Sequence, residues 1–338
     1  MTDLSRYARQ LVYPGIGEAG QRKLLASRVA VIGIGALGTV IANNLARAGV
    51  GYLRLVDRDF VEWSNLQRQT LFDETDAAAS APKAVAAADR LNRINSHIDI
   101  EPFVLDLTPE NVQDVINDID VIVDGTDNFE TRYIINDACV KWNKPWVYSG
   151  VIAAYGMSMT IVPGQTACLR CVYPEPTPAG RLDTCDTAGI LNGVAGLIGS
   201  LASTEALKLI VGAGTLNDGL IHADVWTNSY DRFSLSRRPG CPTCDKGEYH
   251  FLDGQTSETA TLCGRDAVQV RPSGKQTLDL TDLGERLAGV GPVHVTPFLL
   301  RLTVDNCEVT LFPDARAIIK GTDEPSVARA IYAKYIGM

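Results

Sequence analysis

Three closely spaced glycines, Gly33, Gly35 and Gly38, end an apolar run in the stretch VAVIGIGALG. Glycines in this pattern let a strand–turn–helix backbone approach a phosphate group at the helix N-terminus. Asp57 follows Gly38 by 19 residues, a spacing that suits an acidic side chain on a ribose hydroxyl. The pattern predicts a nucleotide site and fits NAD, FAD or ATP. The alternative is that Gly35 and Gly38 only permit tight packing of the helix on the strand.

Two cationic residues follow the glycine turn and help to distinguish ATP from NAD and FAD. Arg68 lies in the segment SNLQRQ, between Asn65 and Gln69. Lys83, in the segment APKAV, opens a predicted helix. A guanidinium group matches phosphate oxygens, and a dehydrogenase has no obvious use for Arg68 at this position. Either residue alone is more simply a solvated surface charge, but beside the glycine turn the two favour a triphosphate.

Two carboxylates, Asp124 and Asp127, end the apolar run in DVIVDGTDN. Mg²⁺ prefers oxygen ligands and takes few of them from the protein. We interpret Asp127 as the residue that holds magnesium beside the triphosphate. For Asp124 we prefer a role as a turn or helix-capping residue.

Two cysteine pairs, CLRC and CPTC, predict a metal site. They contribute Cys168, Cys171, Cys241 and Cys244, and two such knuckles in a cytosolic chain are typical of a tetrahedral Zn²⁺ site. Because sulfur occupies all four positions, the predicted role is structural, since a catalytic zinc keeps one position open. The alternatives are two unrelated loop pairs or a redox dithiol.

Cys185 stands apart from these pairs in GRLDTCDTAGILNG. A thiol near a helix N-terminus has a lowered pKa and is more nucleophilic. The local sequence leaves an ordinary loop cysteine as an equal alternative. Cys139 is predicted to lie in the core on a helix, and Cys263 and Cys307 on buried strands.

The elements around these residues alternate between strand and helix. We predict strands at 28–33 and 51–57 and helices at 36–48, 82–95 and 108–118. Such alternation is typical of a Rossmann-like, mostly parallel α/β sheet with helices on both faces. Ligands bind at the carboxyl ends of such strands, so the glycine turn, Asp57 and Asp127 should share one crevice. A composition shift separates a predicted domain at 1–250 from a small C-terminal α/β domain at 255–338.

The net charge, the N-terminal sequence and the longest apolar segment limit the possible partners and the cellular compartment. A formal charge of −9 argues against a nucleic-acid-binding surface. The N-terminus carries no signal peptide pattern. The apolar segment 188–212 is interrupted by Asn192, Glu205 and Lys208, so we interpret it as a buried core helix and expect no membrane partner. We expect a cytoplasmic protein.

The order of the motifs over residues 5–250 resembles the E1-like activating enzymes of the ThiF and MoeB type, in a longer bacterial form with a C-terminal extension. The resemblance implies ATP- and Mg²⁺-dependent adenylation of the C-terminal Gly-Gly carboxylate of a ubiquitin-like sulfur carrier. It also implies a homodimer and suggests a cysteine desulfurase as a further partner. The matching segments are RYARQ, GIGALG, LVDRD, SNLQRQ, PK, DGTDN, CLRC, TCDTAG, IGSLASTEALK and CPTC.

Carried over position by position, the resemblance assigns catalytic roles as well as nucleotide contacts. Asp127 is the essential acid near magnesium, and Arg9 reaches into the ATP site of the partner subunit. Cys185 falls on a cysteine that forms a covalent link to the carrier in some members. With Arg68 and Lys83, these complete the predicted catalytic set. The residues assigned to the nucleotide are Gly33, Gly35, Ala36, Gly38, Asp57, Asp59, Ser64, Asn65, Leu66, Gln67, Arg68, Lys83, Asp127 and Asn128.

The implied chemistry is in-line displacement at the α-phosphate, in which positioning and charge neutralisation do most of the catalysis. The carrier carboxylate is already ionised, so no general base is needed, and none of the four histidines lies in the motifs. Two other functions stay open: a Rossmann-type NAD-dependent oxidoreductase and an inactive carrier-binding module. The sequence favours a thiamine-pathway carrier over molybdopterin and tRNA-thiolation carriers, but it does not identify the carrier.

Overall fold

The structure is a computed structural model that describes residues 4–176, 188–253, 259–262, 267–270 and 277–337. These residues form two compact units, of which the first includes 4–176 and 189–253 and the second the rest of the described chain from 259 onward. The domain boundary between residues 250 and 255 stays a prediction. Cys185 and Cys263 lie outside the described residues.

The first unit is built on an eight-stranded sheet with the order β3-β2-β1-β4-β5-β6-β7-β8. The five strands from β3 to β5 are parallel, and β6, β7 and β8 continue the sheet in antiparallel pairing. This confirms the predicted fold class. The strands are β1 (Arg28–Ile32), β2 (Tyr52–Val56), β3 (Asp99–Phe103), β4 (Val121–Asp124), β5 (Trp146–Ile152), β6 (Tyr155–Ile161), β7 (Gly219–Asp224) and β8 (Ser229–Ser234).

Local sequence signals mark one end each of two helices in the first unit. Gly49 ends α3 in the left-handed conformation, and Pro82 precedes the first residue of α5. The helix predicted at 108–118 is shorter than expected. The helices are α1 (Ala8–Leu11), α2 (Gly17–Ala26), α3 (Ala36–Ala48), α4 (Glu74–Ala78), α5 (Lys83–Ile94), α6 (Val112–Ile116), α7 (Phe129–Lys141), α8 (Leu169–Val172) and α9 (Asn192–Val211), with 3-10 turns at Ser5–Tyr7 and Trp63–Asn65.

Helix α9 is the described helix that is long and apolar enough to cross a membrane. It packs on α3, β5 and β6 instead. A Cβ atom at Gly199 would lie 2.9 Å from Val40, so the two helices are in close contact. Glu205 is buried in α9 and accepts hydrogen bonds from Thr160 Oγ1 (2.8 Å) and the Asn217 backbone N–H (2.9 Å). These contacts agree with the interpretation of a core helix.

The second unit is a six-stranded antiparallel sheet with two helices and its own apolar core. Cys307 is buried on β13, as predicted. The sheet order is β11-β12-β13-β14-β10-β9. The elements are β9 (Thr259–Leu262), β10 (Ala267–Val270), α10 (Leu280–Leu287), β11 (Val293–Val295), β12 (Leu300–Val304), β13 (Cys307–Leu311), β14 (Ala317–Lys320) and α11 (Pro325–Tyr335).

Candidate functional site

The carboxyl ends of β2, β1 and β4, which are neighbours in the sheet, form one crevice. Asp57 follows β2 and reaches across to β1, where its Oδ2 accepts a hydrogen bond from the Ile34 N–H at 2.6 Å. Its Oδ1 accepts from the Asp59 N–H at 2.7 Å. Burial raises the pKa of Asp57, although Lys83 and the two backbone N–H groups favour the charged carboxylate. The structure therefore brings the glycine turn and Asp57 together.

Three glycines form a close junction between the loops that follow β1 and β4. A Cβ atom at Gly38 would lie 1.9 Å from Gly33 O, and one at Gly125 would lie 2.5 Å from the same oxygen. Gly33 also has a φ of +85°, which side chains rarely adopt. These three glycines are needed for packing. A Cβ atom at Gly35 would meet nothing closer than Gln69 Nε2 at 4.0 Å, so Gly35 borders open space at the N-terminus of α3, as does the phosphate loop of a nucleotide site.

The cations of the crevice are held among carboxylates. Lys83 is buried, and its Nζ lies 3.3 Å from Asp59 Oδ2. Arg58 Nη1 donates to Asp106 Oδ1 at 3.1 Å. Burial by itself would lower the pKa of Arg58, but Asp106, Asp59, Asp127 and Asp57 raise it. Arg58 was not predicted as a site residue, because an arginine beside an aspartate in a loop has no signal of its own in the sequence.

The segment after Asp59 forms a compact turn. Asn65 is buried and its Oδ1 accepts from the Glu62 N–H at 3.1 Å, which fixes the 3-10 turn. Arg68 is half-buried, and its Nη1 donates to the Ser64 carbonyl at 2.8 Å. Ser64 and Gln67 are exposed, and Leu66 packs against the core.

Gln69 is a residue that the sequence did not assign to the site. It is buried beside the glycine turn, and its Oε1 has no hydrogen-bond partner among the described residues. An orphaned polar atom in such a position costs free energy unless a ligand satisfies it. Together with the space at Gly35, it shows that the crevice fits a bound polar ligand such as a nucleotide.

The loop from β4 to α7 carries the predicted magnesium ligand. Asp127 is exposed at the crevice. Asn128 caps α7, because its Oδ1 accepts from the Thr131 N–H at 2.8 Å. Asp124 is buried and accepts from the Thr126 N–H and hydroxyl at 2.8 and 2.7 Å, which is the turn role we prefer for it. It also forms an ion pair with Arg132, whose Nε lies 3.0 Å from Asp124 Oδ2.

Among the described residues, one predicted catalytic residue stands outside this set. Arg9 lies on α1 with an exposed side chain, as a residue that serves another subunit requires. Ala36, by contrast, is the first residue of α3 and lies directly in the glycine turn.

The four knuckle cysteines converge, with all four sulfurs within 4.8 Å of one another. The Sγ–Sγ distances are 3.8 Å for Cys168–Cys171, 3.6 Å for Cys168–Cys241 and 3.4 Å for Cys171–Cys244. Tetrahedral zinc with Zn–S bonds of about 2.3 Å would separate its sulfurs by about 3.8 Å. The hydrogen bond to Cys171 raises the pKa of Cys168 and lowers that of Cys171 to about 4. The donor set and spacing fit Zn²⁺ and rule out two unrelated loop pairs.

Comparison with known proteins identifies the family of the chain. A model of the ThiF family matches residues 7–243. The chain belongs to the ThiF family. It is 43% identical to the sulfur carrier protein ThiS adenylyltransferase of Bacillus subtilis (strain 168) over 336 residues, covering 98% of this chain and 99% of that protein. It is 38% identical to the SAMP-activating enzyme E1 of Haloferax volcanii over 247 residues, covering 73% of this chain and 90% of that protein.

These matches confirm the resemblance drawn from the motifs, including its C-terminal extension, which the Bacillus relative shares. The E. coli protein MccB, solved with ATP, has a similar fold, with a TM-score of 0.62 at 24% identity over 72% of this chain and 74% of that chain. This chain is therefore an enzyme of the adenylyltransferase class, and the matches do not favour an oxidoreductase.

Proposed function

We propose that this protein uses ATP to adenylate the C-terminal Gly-Gly carboxylate of a ubiquitin-like sulfur carrier. The observation that carries the proposal is the crevice in which Asp57, Lys83 and Asp127 surround the open edge of the glycine turn. Its relative from Bacillus subtilis acts on the sulfur carrier ThiS and is 43% identical over nearly the full length of both chains. We therefore favour a ThiS-like carrier and thiamine biosynthesis over a MoaD-like carrier and molybdenum cofactor biosynthesis.

In this proposal each group of the crevice has one task. Asp57 and Asp59 hold the ribose, and the backbone at Gly35 and Ala36 approaches the phosphates. Arg68 and Lys83 neutralise the charge that develops as pyrophosphate leaves, while the ionised carrier carboxylate attacks the α-phosphorus. Asp127 would hold Mg²⁺, which would supply positive charge to neutralise the phosphates. Gln69 Oε1, which lacks a partner among the described residues, accepts a hydrogen bond from the nucleotide.

Three further features belong to the proposal. Zn²⁺ is held by Cys168, Cys171, Cys241 and Cys244 and has a structural role. The enzyme is a cytoplasmic homodimer, and a cysteine desulfurase supplies sulfur to the adenylated carrier. Cys185 is the candidate for a covalent link to the carrier, so Cys185→Ser should leave adenylation intact and impair only the later transfer.

The first experiment measures ATP–pyrophosphate exchange with ThiS-like, MoaD-like and tRNA-thiolation carriers in turn. We expect exchange with the ThiS-like carrier and acyl-adenylate in its mass spectrum. Removal of the terminal Gly-Gly is the matched control and should abolish exchange. Absence of exchange with every carrier, or reduction of NAD by the protein, would overturn the proposal.

The second experiment asks whether Arg9 acts across the dimer. Arg9→Ala and Asp127→Asn should each lose nearly all exchange activity when assayed alone. If Arg9 serves the partner's site, a mixed dimer has one site with both defects and one intact site. Random reassociation at equal amounts should then restore about one quarter of wild-type exchange. If the mixture stays inactive, Arg9 acts within its own subunit and this part of the proposal is wrong.

A further inference from the structure

Helix α7 contacts both the crevice and the cysteine cluster. At its N-terminus, Arg132 Nη2 donates to the carbonyls of Thr126 (2.6 Å) and Ser149 (3.1 Å). Together with the Asp124–Arg132 ion pair and the Asn128 cap, these bonds fix the loop on which Asp127 lies. The helix therefore holds the loop of the proposed magnesium ligand through its first two turns.

Two adjacent residues farther along α7, Asn136 and Asp137, contact one cysteine knuckle each. Asn136 Oδ1 accepts from the Leu169 N–H at 2.8 Å, directly after Cys168. Asp137 Oδ1 accepts from Thr243 Oγ1 at 2.7 Å, between the cysteines of the second knuckle. Its Oδ2 accepts from the Phe251 N–H at 3.1 Å.

These contacts are fully enclosed. Asn136 and Asp137 have no exposed surface, and Thr243 is 1% exposed. A buried carboxylate that loses a donor is strongly destabilised, so each bond is costly to break. The two ends of this network lie about 12 Å apart along one rigid helix of 1.5 Å rise per residue.

We propose that Asn136 and Asp137 are positioning residues that lock both knuckles to α7, so that the metal site stabilises the loop of Asp127. The inference rests on the proposed zinc site and extends its role from local folding to the geometry of the crevice. Side chains that orient ligands from outside the ligand set change metal affinity by about 10- to 100-fold when removed.

The test uses Thr243→Val, which keeps the shape of the side chain and removes its hydroxyl, with Thr243→Ser as the matched control. Transfer of zinc to a chromogenic chelator should be about 10- to 100-fold faster for Thr243→Val and near wild type for Thr243→Ser. Hydrogen–deuterium exchange of the peptide 125–132 should rise about fivefold or more in Thr243→Val, while the peptide 83–94 on α5 stays unchanged.

Zinc removed from the wild-type protein by a chelator should produce the same change at 125–132, reversed when zinc is restored. Faster zinc release with unchanged exchange at 125–132 would overturn the coupling, and unchanged zinc release would overturn the positioning role. Neither readout uses ATP or carrier, so a failure of the adenylation proposal is distinguishable from a failure of this one.

Discussion

The crevice and the cysteine cluster both contact helix α7, but their polar groups differ in exposure and in hydrogen bonding. In the crevice, Asp127 is exposed and the Gln69 oxygen lacks a partner among the described residues. In the cluster, Asn136 and Asp137 are buried, and each accepts a hydrogen bond from one knuckle. A site that binds substrates keeps groups uncommitted at a cost in stability, whereas a structural site satisfies its groups internally. Changes in the two regions should therefore separate activity from stability.

The largest effect is expected for Cys241→Ser, because loss of a structural metal ligand removes folding free energy directly. We expect a loss of more than about 4 kcal/mol in unfolding free energy, measured by urea denaturation, with loss of bound zinc by metal analysis. Cys139→Ser is the control, since Cys139 is equally buried but lies outside the cluster. It should retain zinc. Full zinc content in Cys241→Ser would contradict the assignment.

A second comparison uses two glycines of the same turn. Gly38→Ala places Cβ 1.9 Å from Gly33 O, and we expect a loss of about 3 kcal/mol in unfolding free energy. Gly35→Ala has room and should change stability by less than about 0.5 kcal/mol, while nucleotide binding weakens. Thermal denaturation and ATP titration measure the two effects. Equal stability loss in both variants would show that Gly35 is also a packing residue.

Asp127→Asn should affect activity alone. The side chain is exposed, so stability should change by less than about 0.5 kcal/mol. Loss of the charge that holds magnesium should slow ATP–pyrophosphate exchange by about 100-fold, equivalent to about 2.7 kcal/mol. Asp124→Asn is the matched variant, because it breaks a buried ion pair with Arg132 and should cost about 3 kcal/mol of stability. If Asp127→Asn lost stability and Asp124→Asn lost only activity, Asp124 would be the magnesium ligand and Asp127 the structural residue.

The smallest effect is expected for Gln69→Met. Replacing a buried oxygen that lacks a partner should leave stability unchanged or raise it by about 1 kcal/mol. The same change should weaken ATP binding by about tenfold, measured by calorimetry. A destabilised variant with unchanged ATP affinity would show that Gln69 is a core residue and no ligand of the nucleotide.

The fold and most of the candidate site could be predicted because their signals are local. The alternation of apolar strands and capped helices predicted the parallel sheet. The two C-x₂-C pairs predicted the cysteine cluster, since a metal set requires sulfur at a fixed spacing. The predicted length of α6 was wrong, because residues 108–111 form a turn instead, in which Asn111 Oδ1 accepts a hydrogen bond from the Thr108 N–H.

Sequence alone determined which residues could bind phosphate and metal, since residue type and spacing set that chemistry. Only the tertiary structure decided how those residues are used. It made Gly33, Gly38 and Gly125 a packing junction and left Gly35 open, because Cβ clashes depend on segments far apart in the chain. It revealed Arg58 and Gln69 at the crevice and tied α7 to both knuckles, because burial and hydrogen-bond partners arise only when distant loops come together.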